Sequence, residues 1–232
     1  MAQWRLRSEH FLPQEAVISL EGRLCLGFVN TWHPRYGRHV HDALAGYPDL
    51  LAWHRSVGML TEAHEKYLLQ AASAHPEEAL RVFERAITHR EATYRVFSAV
   101  AAERAPTSED LDVLQGSFVE AMAHASLLPT AREFSWEWRA GEESGHEEEL
   151  TLLLWPLALS ALELLTSSSG WGRIKECPGC GWLFLDFSKT GNRRWCSMDE
   201  CGSRAKMRRQ YARKRAPHNG ALAAINGFES SR

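Results

Sequence analysis

Four cysteines near the C-terminal end have the spacing of a metal site. Cys177 and Cys180 form one close pair, and after 15 further residues Cys196 and Cys201 form a second pair. Because Zn²⁺ prefers four thiolates at the corners of a tetrahedron, two such pairs can complete one coordination shell. We therefore predict one structural zinc ion per chain, bound by these four cysteines. The simplest role for the ion is to hold a small C-terminal module together.

A basic segment surrounds and follows the second cysteine pair. Residues 171–215 contain 12 Lys and Arg against 4 Asp and Glu, whereas residues 1–170 contain 14 against 24. A cationic helix beside a metal site is typical of nucleic-acid-binding modules, so DNA is the expected partner. The alternative partner is an acidic protein surface, on this chain or another. The candidate nucleic-acid contacts are Arg193, Arg194, Arg204, Lys206, Arg208, Arg209, Arg213 and Lys214.

Cysteine usage and hydropathy indicate a cytoplasmic protein. Only Cys25 lies outside the cluster, a pattern unlike that of disulfide-rich secreted domains. The N-terminal residues lack the uninterrupted apolar core of a signal peptide. The apolar run from Leu150 to Leu165 is too short for a bilayer and is interrupted by Pro156 and Glu163. We predict that this run is a buried helix and that the chain has no membrane partner.

Hydrophobic periodicity predicts a mainly α-helical body. Apolar residues recur at helical spacing from Pro76 to about Glu103, with Leu80 and Phe97 on the predicted core side. Thr107 resembles the N-cap of a following helix. Shorter helices are predicted at 48–57, 61–74 and 150–165, and strict alternation at 134–138 predicts a short strand.

The predicted organisation has three parts. Residues 1–167 form a helical domain with its own core and a short β element, and residues 171–216 form a zinc module. A Ser-rich stretch at 167–170 joins them, and residues 217–232 are expected to be a disordered tail.

The zinc module is predicted to be treble-clef-like. Strand-like segments at 173–177 and 182–187 flank the first cysteine pair, and a helix begins near Ser203. This layout combines a β-hairpin knuckle with a basic helix. On that helix, Met207 and Tyr211 form a narrow apolar stripe that we expect to pack on the module.

The cysteine motifs resemble a known family. Cys-Pro-Gly-Cys-Gly-Trp-Leu-Phe-Leu-Asp from Cys177, and Arg-Arg-Trp-Cys-Ser-Met-Asp-Glu-Cys-Gly-Ser-Arg-Ala-Lys from Arg193, closely resemble the CGNR zinc fingers of bacteria. The N-terminal part resembles their usual companion, the ABATE domain. The stretches that carry this second resemblance are Leu24–Thr31, Leu50–Trp53, Arg90–Tyr94 and Phe134–Trp138.

The resemblance implies a function. Proteins of this kind are described as stress-induced transcription regulators, in which the finger is expected to bind DNA and the helical domain to sense an effector. One basic helix per chain also makes a homodimer an attractive form for DNA binding.

One residue departs from the family pattern, because Cys-Gly-Asn-Arg becomes Cys201-Gly-Ser-Arg204 here. If the family asparagine caps the following helix, Ser203 can replace it. If its amide instead contacts an adenine edge, serine would weaken that contact. We predict the capping role. Two roles stay open for Arg204, namely a bond to Asp199 or to carbonyl groups near the metal, and a contact with DNA.

Three polar side chains of the body could form an effector pocket. Asn30 ends an apolar run, and Arg90 and Tyr94 lie one helical turn apart. A partly buried arginine seeks an anion, so a small polar or anionic effector could bind among these residues. The alternative, favoured by the usual behaviour of buried polar groups, is an internal hydrogen-bond network. A second metal site at His33, His39, His41 and Asp42 is not predicted, because the spacing matches no standard ligand pattern.

No catalytic constellation is present in the sequence. There is no Gly-rich phosphate loop and no nucleophile elbow, and four cysteine ligands leave no open position on a zinc ion. We therefore expect a DNA-binding regulator and no enzymatic activity. The rival functions are a zinc-stapled protein–protein adaptor and an enzyme with a site in the helical domain.

Overall fold

The computed structural model describes residues 6–7, 24–36, 39–129, 134–139, 145–167 and 171–215. The chain divides into two compact units, Met1–Cys196 and Ser197–Arg232. The first contains the helical body and the hairpin of the first cysteine pair, and the second contains the arginine-rich helix. The predicted linker residues 168–170 and the predicted tail at 217–232 lie outside the described residues.

Helices dominate the first unit, as the periodicity predicts. Its helices are α1 (Leu24–Val29), α2 (Tyr47–Ser56), α3 (Glu62–Ala74), α4 (Pro76–Ala101), α5 (Ser108–Ala123), α6 (His146–Thr151) and α7 (Leu154–Thr166). Its strands are β1 (Leu6–Arg7), β2 (Ala125–Pro129), β3 (Phe134–Trp138), β4 (Ile174–Glu176) and β5 (Leu183–Leu185). The second unit contains a π-helical turn, Met198–Gly202, followed by α8 (Ser203–Arg215). The described chain is mainly α-helical with two short sheets, so the predicted fold class is confirmed.

Local signals in the sequence begin the longer helices. The hydroxyl of Thr107 accepts a hydrogen bond from the Asp110 amide at 3.3 Å, and Thr61 does the same for His64 at 3.3 Å. These bonds satisfy amides that have no partner within the first helical turn. Pro76 begins α4, where its missing N–H group costs nothing. The cap predicted at Thr107 is confirmed.

The helix predicted from Leu150 to Leu165 is divided in the structure. α6 ends at Thr151, α7 begins at Leu154, and a turn separates them. Pro156 lies in the first turn of α7, where the helix needs no donor from its backbone nitrogen. Inside a continuous helix, the same proline would remove a hydrogen bond and clash with the preceding turn. The single-helix prediction is wrong for this reason.

β3 is the central strand of an antiparallel sheet with the order β1-β3-β2. Its register pairs Trp138 with Leu6 of β1 and with Ala125 of β2. The indole N–H of buried Trp138 donates to the Ala121 carbonyl at 2.9 Å, which anchors the sheet to the end of α5. The predicted strand is present, with two partners that the sequence did not indicate.

Buried apolar side chains form two clusters in the first unit. The first cluster contains residues of the helices α1, α2, α3 and α4 together with residues of α6 and α7. The other lies among α1, α4, α5 and α7 and includes Ile174, Leu183 and Leu185 of the β4–β5 hairpin. The hairpin that carries the first cysteine pair is therefore packed into the core of the helical body, and burial of this apolar surface stabilises both.

The predicted core face of α4 is confirmed at Phe97, which is fully buried, and is wrong at Leu80. Leu80, expected in the core, is 56% exposed, whereas Ala79, Val82 and Ala86 are buried in the first cluster. Small side chains at these positions leave room for the larger side chains of neighbouring helices. The prediction gave weight to the large side chain of Leu80, whereas the small residues beside it form the buried surface of this part of the helix.

The second unit buries few of its described residues. Cys201 and Gly202 are buried, whereas α8 has no buried residue. In the described part of the chain, no helix is long and apolar enough to cross a membrane.

Candidate metal centre and nucleic-acid interface

The turn between β4 and β5 presents the first pair of sulfur atoms. The amides of Cys180 and Gly181 donate to the Cys177 carbonyl at 3.3 and 2.8 Å. The Cys177 amide in turn donates to the Trp182 carbonyl at 2.9 Å. Gly181 has a φ of +78°, a left-handed conformation that strains any residue with a Cβ, and a Cβ there would lie 2.6 Å from the Arg35 Cβ. The glycine after the second cysteine is thus required by the shape of the knuckle.

The four sulfur atoms of the predicted ligands lie close together. The Sγ atoms of Cys177, Cys180, Cys196 and Cys201 are all within 4.8 Å of one another, and none of these cysteines is in a disulfide. In a tetrahedral site with Zn–S bonds of about 2.3 Å, sulfur atoms lie about 3.8 Å apart. The Sγ atoms of Cys180 and Cys196 are 3.6 Å apart. The donor set therefore fits one zinc ion with all four positions filled by protein.

Nearby donors favour the thiolate form that zinc requires. A hydrogen bond between the two thiols lowers the pKa of Cys180 and raises the pKa of Cys196, so it does not favour the loss of both protons, whereas a hydrogen bond from His33 lowers the pKa of Cys180 alone. In the second unit, Nη2 of Arg204 lies 3.5 Å from the sulfur of Cys201. Because metal binding displaces the thiol protons, groups that stabilise a thiolate also stabilise the metal complex.

The loop after α1 holds the knuckle from the body side. The Arg35 amide donates to the Cys180 carbonyl at 2.8 Å. The Arg35 guanidinium, only 7% exposed, pairs with Glu91 at 2.5 Å and lies over the Tyr94 ring at 4.0 Å. Arg35 was not among the predicted site residues, because it contacts the knuckle across a separation in sequence of more than 140 residues. Its packing positions the two cysteines of the turn.

Arg90, at the centre of the predicted effector pocket, is fully buried and paired. Its guanidinium donates two hydrogen bonds of 2.7 Å to the Asp42 carboxylate and one of 3.1 Å to the Thr31 hydroxyl. Burial opposes the charge of Asp42, but hydrogen bonds from Arg90 and from the Leu44 amide hold its pKa below the ordinary value. The protein itself supplies the anion that Arg90 requires.

Asn30 and Tyr94 bind the hairpin. Nδ2 of Asn30 donates to the Leu183 carbonyl at 2.8 Å, and its Oδ1 accepts from the Leu183 amide at 3.1 Å. The Tyr94 hydroxyl donates to the Glu176 carboxylate at 3.0 Å. These contacts form an internal hydrogen-bond network, which was the alternative that the sequence offered to an effector pocket. Effector binding at Asn30, Arg90 and Tyr94 stays a prediction, and an effector there would have to displace these bonds.

In the histidine-rich stretch that contains His33, His39, His41 and Asp42, two of the four side chains make contacts with other parts of the protein. The Asp42 carboxylate is occupied by Arg90, and the His33 ring packs edge-on against the Trp182 ring with centroids 4.6 Å apart. Among the described residues, the four cysteines are the only group of potential ligands close enough to hold a metal ion.

Asp186, at the end of β5, organises the loop before the third cysteine ligand. Its buried carboxylate accepts hydrogen bonds from the amides of Ser188 at 2.9 Å and Arg193 at 2.8 Å. The Arg193 side chain then donates to the carbonyls of Trp195 and Cys196. This arginine, a predicted nucleic-acid contact, therefore also shapes the loop. An aspartate two residues before a serine at the end of a strand is typical of an Asx turn, so the sequence carries a local signal for this part of the loop.

α8 carries most of the predicted nucleic-acid contacts. Met207 and Tyr211 are 54% and 63% exposed, so the prediction that they pack on the module is wrong. Two side chains among so many cations offer too little apolar surface to hold a helix face. Within the described residues, no carboxylate lies within ion-pairing distance of five of the predicted contacts on this helix. They are Lys206, Arg208, Arg209, Arg213 and Lys214.

The start of α8 also differs from the prediction. The π-helical turn runs directly into α8, and the Ser203 hydroxyl donates to the Met198 carbonyl at 3.2 Å. Ser197 is the true cap, because its hydroxyl accepts from the Glu200 amide at 3.2 Å. The capping role predicted for Ser203 is wrong, since a full helical turn precedes it. Arg204 donates to the Glu200 carbonyl at 3.3 Å, which is one of its two predicted roles.

Comparison with known families agrees with this architecture. The family model ABATE, described as "Putative stress-induced transcription regulator", matches residues 22–168, which is more than half of the chain. The chain belongs to the ABATE family. The model of the CGNR zinc finger matches residues 173–214, a range that includes all four clustered cysteines. A comparison with curated proteins finds no match.

In this ABATE protein, the finger hairpin shares the core of the ABATE domain. The boundary between the two family matches falls where the sequence predicts a linker. Ile174, Leu183 and Leu185 of the CGNR finger nevertheless lie in a cluster with residues of α1, α4, α5 and α7. The hairpin that carries Cys177 and Cys180, the second cysteine pair and the helix after it are the parts of the predicted zinc module, and the four cysteines are close enough to hold one zinc ion.

Proposed function

We propose that this ABATE-family protein is a DNA-binding transcription regulator whose CGNR finger supplies the DNA contacts. The observation that carries the proposal is the exposed charge of α8. Six of its cations, the five named above and Arg215, have no carboxylate partner among the described residues, so their charge is available to an external anion. The family description of a transcription regulator supports DNA as that anion.

The ligand set explains how the basic helix would be presented. Cys201 lies in the π-helical turn immediately before α8, so its bond to a metal would fix the start of the helix. A bound zinc ion would cross-link the four thiolates. Arg204 bonds to Glu200 and approaches the Cys201 sulfur, whereas Lys206, Arg208 and Arg209 extend beyond this fixed turn.

α8 is suited to phosphate contacts. Lys and Arg side chains that neutralise phosphates give affinity and a strong dependence on salt, with little sequence reading of their own. Any sequence preference would then need contacts to base edges or a response to DNA shape. Homodimer formation and effector control remain predictions from the sequence.

We also propose that the chain is not an enzyme. Four thiolate ligands would saturate a tetrahedral zinc ion and leave no position for a catalytic water or a substrate. A structural metal of this kind supports binding functions.

The proposal is tested by DNA binding of the purified, zinc-loaded protein. We expect fluorescence anisotropy to show binding of labelled duplex DNA at low salt, and selection from a random pool to report any preferred sequence. Removal of zinc with a chelator should weaken binding, whereas Lys66→Gln on the exposed surface of α3 should not. A zinc-loaded chain that binds neither DNA nor RNA at low salt would favour the protein–protein adaptor.

A further inference from the structure

An open groove of about 540 Å³ lies in the first unit, beside the cysteine knuckle. Its lining comes from the end of α4, from β4 and the turn that follows it, and from the loop organised by Asp186. The groove is lined by Ala101, Ala102, Lys175, Glu176, Pro178 and the segment 191–194. It was not among the predicted sites, because its walls come from three separate parts of the chain.

The charge of this groove is mainly positive. Lys175, Arg193 and Arg194 line it together with a single acid, Glu176. The Glu176 carboxylate already accepts hydrogen bonds from the Tyr94 hydroxyl at 3.0 Å and the Ser98 hydroxyl at 2.5 Å. The one negative group is therefore held from the α4 side by two neutral donors.

Two of the groove cations have no acidic partner. Among the described residues, no carboxylate lies within ion-pairing distance of Lys175 or Arg194. The Arg194 guanidinium lies 5.1 Å from the centre of the Trp195 ring, a contact that orients it without neutralising its charge. Asn192, exposed in the same wall, adds an amide that can donate to an anion.

The shape of the groove favours a chain-like anion over a small enclosed one. Pockets for small molecules bury most of the ligand. This groove is open to solvent, and cationic and amide side chains line it together with apolar ones. Lys, Arg and Asn side chains are the groups that proteins use to contact the phosphates of nucleic acids.

We propose that this groove binds the phosphodiester backbone of a nucleic-acid strand through Lys175 and Arg194. The inference rests on the proposed DNA-binding function and extends it, because it adds a contact surface on the hairpin and the end of α4. Lys175 was not a predicted nucleic-acid contact, whereas Arg194 was. The groove thus gives the protein phosphate contacts that do not depend on α8.

Charge-removing variants of the full-length, zinc-loaded protein test the groove. Lys175→Gln and Arg194→Gln each remove one cation, and Lys189→Gln is the matched control, because Lys189 is exposed on the same loop and does not line the groove. Affinity for a labelled DNA duplex is measured by anisotropy across a range of salt concentrations. Zinc content and far-UV circular dichroism verify that each variant is folded.

Each groove variant should reduce the magnitude of the slope of log affinity against log salt by about 0.9. If the affinities of variant and wild type are equal at 1 M salt, this change corresponds to roughly an eightfold loss of affinity at 0.1 M salt. Lys189→Gln should leave both quantities unchanged. Bound DNA should also protect Lys175, and not Lys189, from chemical acetylation detected by mass spectrometry. If the wild-type protein binds DNA but Lys175→Gln and Arg194→Gln keep its slope, the groove proposal is wrong and the role of α8 stands. If the wild-type protein binds no nucleic acid, both the groove proposal and the proposed function are wrong.

Discussion

The side-chain amide of Asn30 and the backbone of Leu183 form two reciprocal hydrogen bonds, of 2.8 and 3.1 Å, across 153 positions of the sequence. Asn30 follows α1 of the ABATE domain, and Leu183 begins β5 of the CGNR finger. The side-chain amide of Asn30 therefore bonds to the Leu183 backbone in the way that the backbone of an adjacent strand would. The ABATE domain therefore completes the hydrogen bonding of the finger as well as sharing its core.

Replacement of Asn30 should destabilise the protein. Asn30→Leu leaves the buried amide and carbonyl of Leu183 without their partner, and we expect the free energy of unfolding to fall by about 3 kcal/mol. Urea denaturation followed by circular dichroism measures the change. Asn192→Ala, at an exposed asparagine, is the control and should have little effect. An equal decrease in the free energy of unfolding in the two variants would show that the hydrogen bonds between Asn30 and Leu183 do not stabilise the protein.

Truncation tests whether the ABATE domain is independent of the hairpin. A chain ending after Ser167 loses the buried side chains of Ile174, Leu183 and Leu185, each contributing about 2 kcal/mol of burial. We expect this chain to unfold at lower urea concentration than a chain ending after Cys196, which keeps the whole first unit. If the two truncated chains are equally stable, residues 1–167 fold alone, as the sequence-based domain division predicts.

Features that depend on residue type and short spacing could be predicted from the sequence. The four cysteines, the cap at Thr107 and the strand at 134–138 are examples, because each follows from local chemistry. The family resemblance rests on the same short motifs.

Features decided by long-range packing were missed or wrong. Leu80 is exposed because small residues face the neighbouring helices, and Met207 is exposed because α8 buries no face. Arg35 and Asn30 acquire their partners only when the hairpin packs on the body. A sequence shows the hydrogen-bonding capacity of such residues but not the distant group that will use it.

Acid should destabilise the protein through two buried histidines. Burial lowers the pKa of His54 and of His89 to about 4, from the ordinary value of 6.5. Between about pH 6.5 and pH 4 the unfolded state therefore binds more protons than the folded state. The stability contributed by the neutral imidazoles is complete above pH 6.5 and is lost as the pH falls through this range.

The contribution of one histidine can be isolated. His89→Gln removes a titrating group, so the decrease in unfolding free energy from pH 7 to pH 5 should be smaller than in the wild-type protein. His39→Gln, at an exposed histidine, should retain the wild-type decrease. Urea denaturation at several pH values measures the difference, and an unchanged pH dependence in His89→Gln would contradict the assignment.

Loss of zinc should loosen the second cysteine pair more than the hairpin. Ile174, Leu183 and Leu185 hold the hairpin in the core, whereas the turn Met198–Gly202 buries only Cys201 and Gly202. After chelation, hydrogen exchange should accelerate in that turn and remain slow in β4 and β5. Exchange that accelerates equally in both segments would show that the metal, and not the core, holds the hairpin.

Ligand identity is tested by metal content. Cys201→Ser should lose the single zinc ion measured after dialysis, because three thiolates hold the metal less tightly than four. Cys25→Ala should retain it, since Cys25 is a buried apolar residue outside the ligand group. Loss of zinc from Cys25→Ala, or its retention by Cys201→Ser at full occupancy, would contradict the assigned ligands.

The salt dependence of DNA binding is the most direct test of the role proposed for α8. For the zinc-loaded wild-type protein, log affinity should fall linearly with log salt concentration. Arg208→Ala combined with Arg209→Ala should reduce the magnitude of that slope by about 1.8, which is 0.9 for each lost phosphate contact, while zinc content stays at one ion per chain. Lys66→Ala on the ABATE domain should keep the wild-type slope. A double variant with the wild-type slope, or a wild-type protein that binds no DNA at low salt, would contradict DNA binding through this helix.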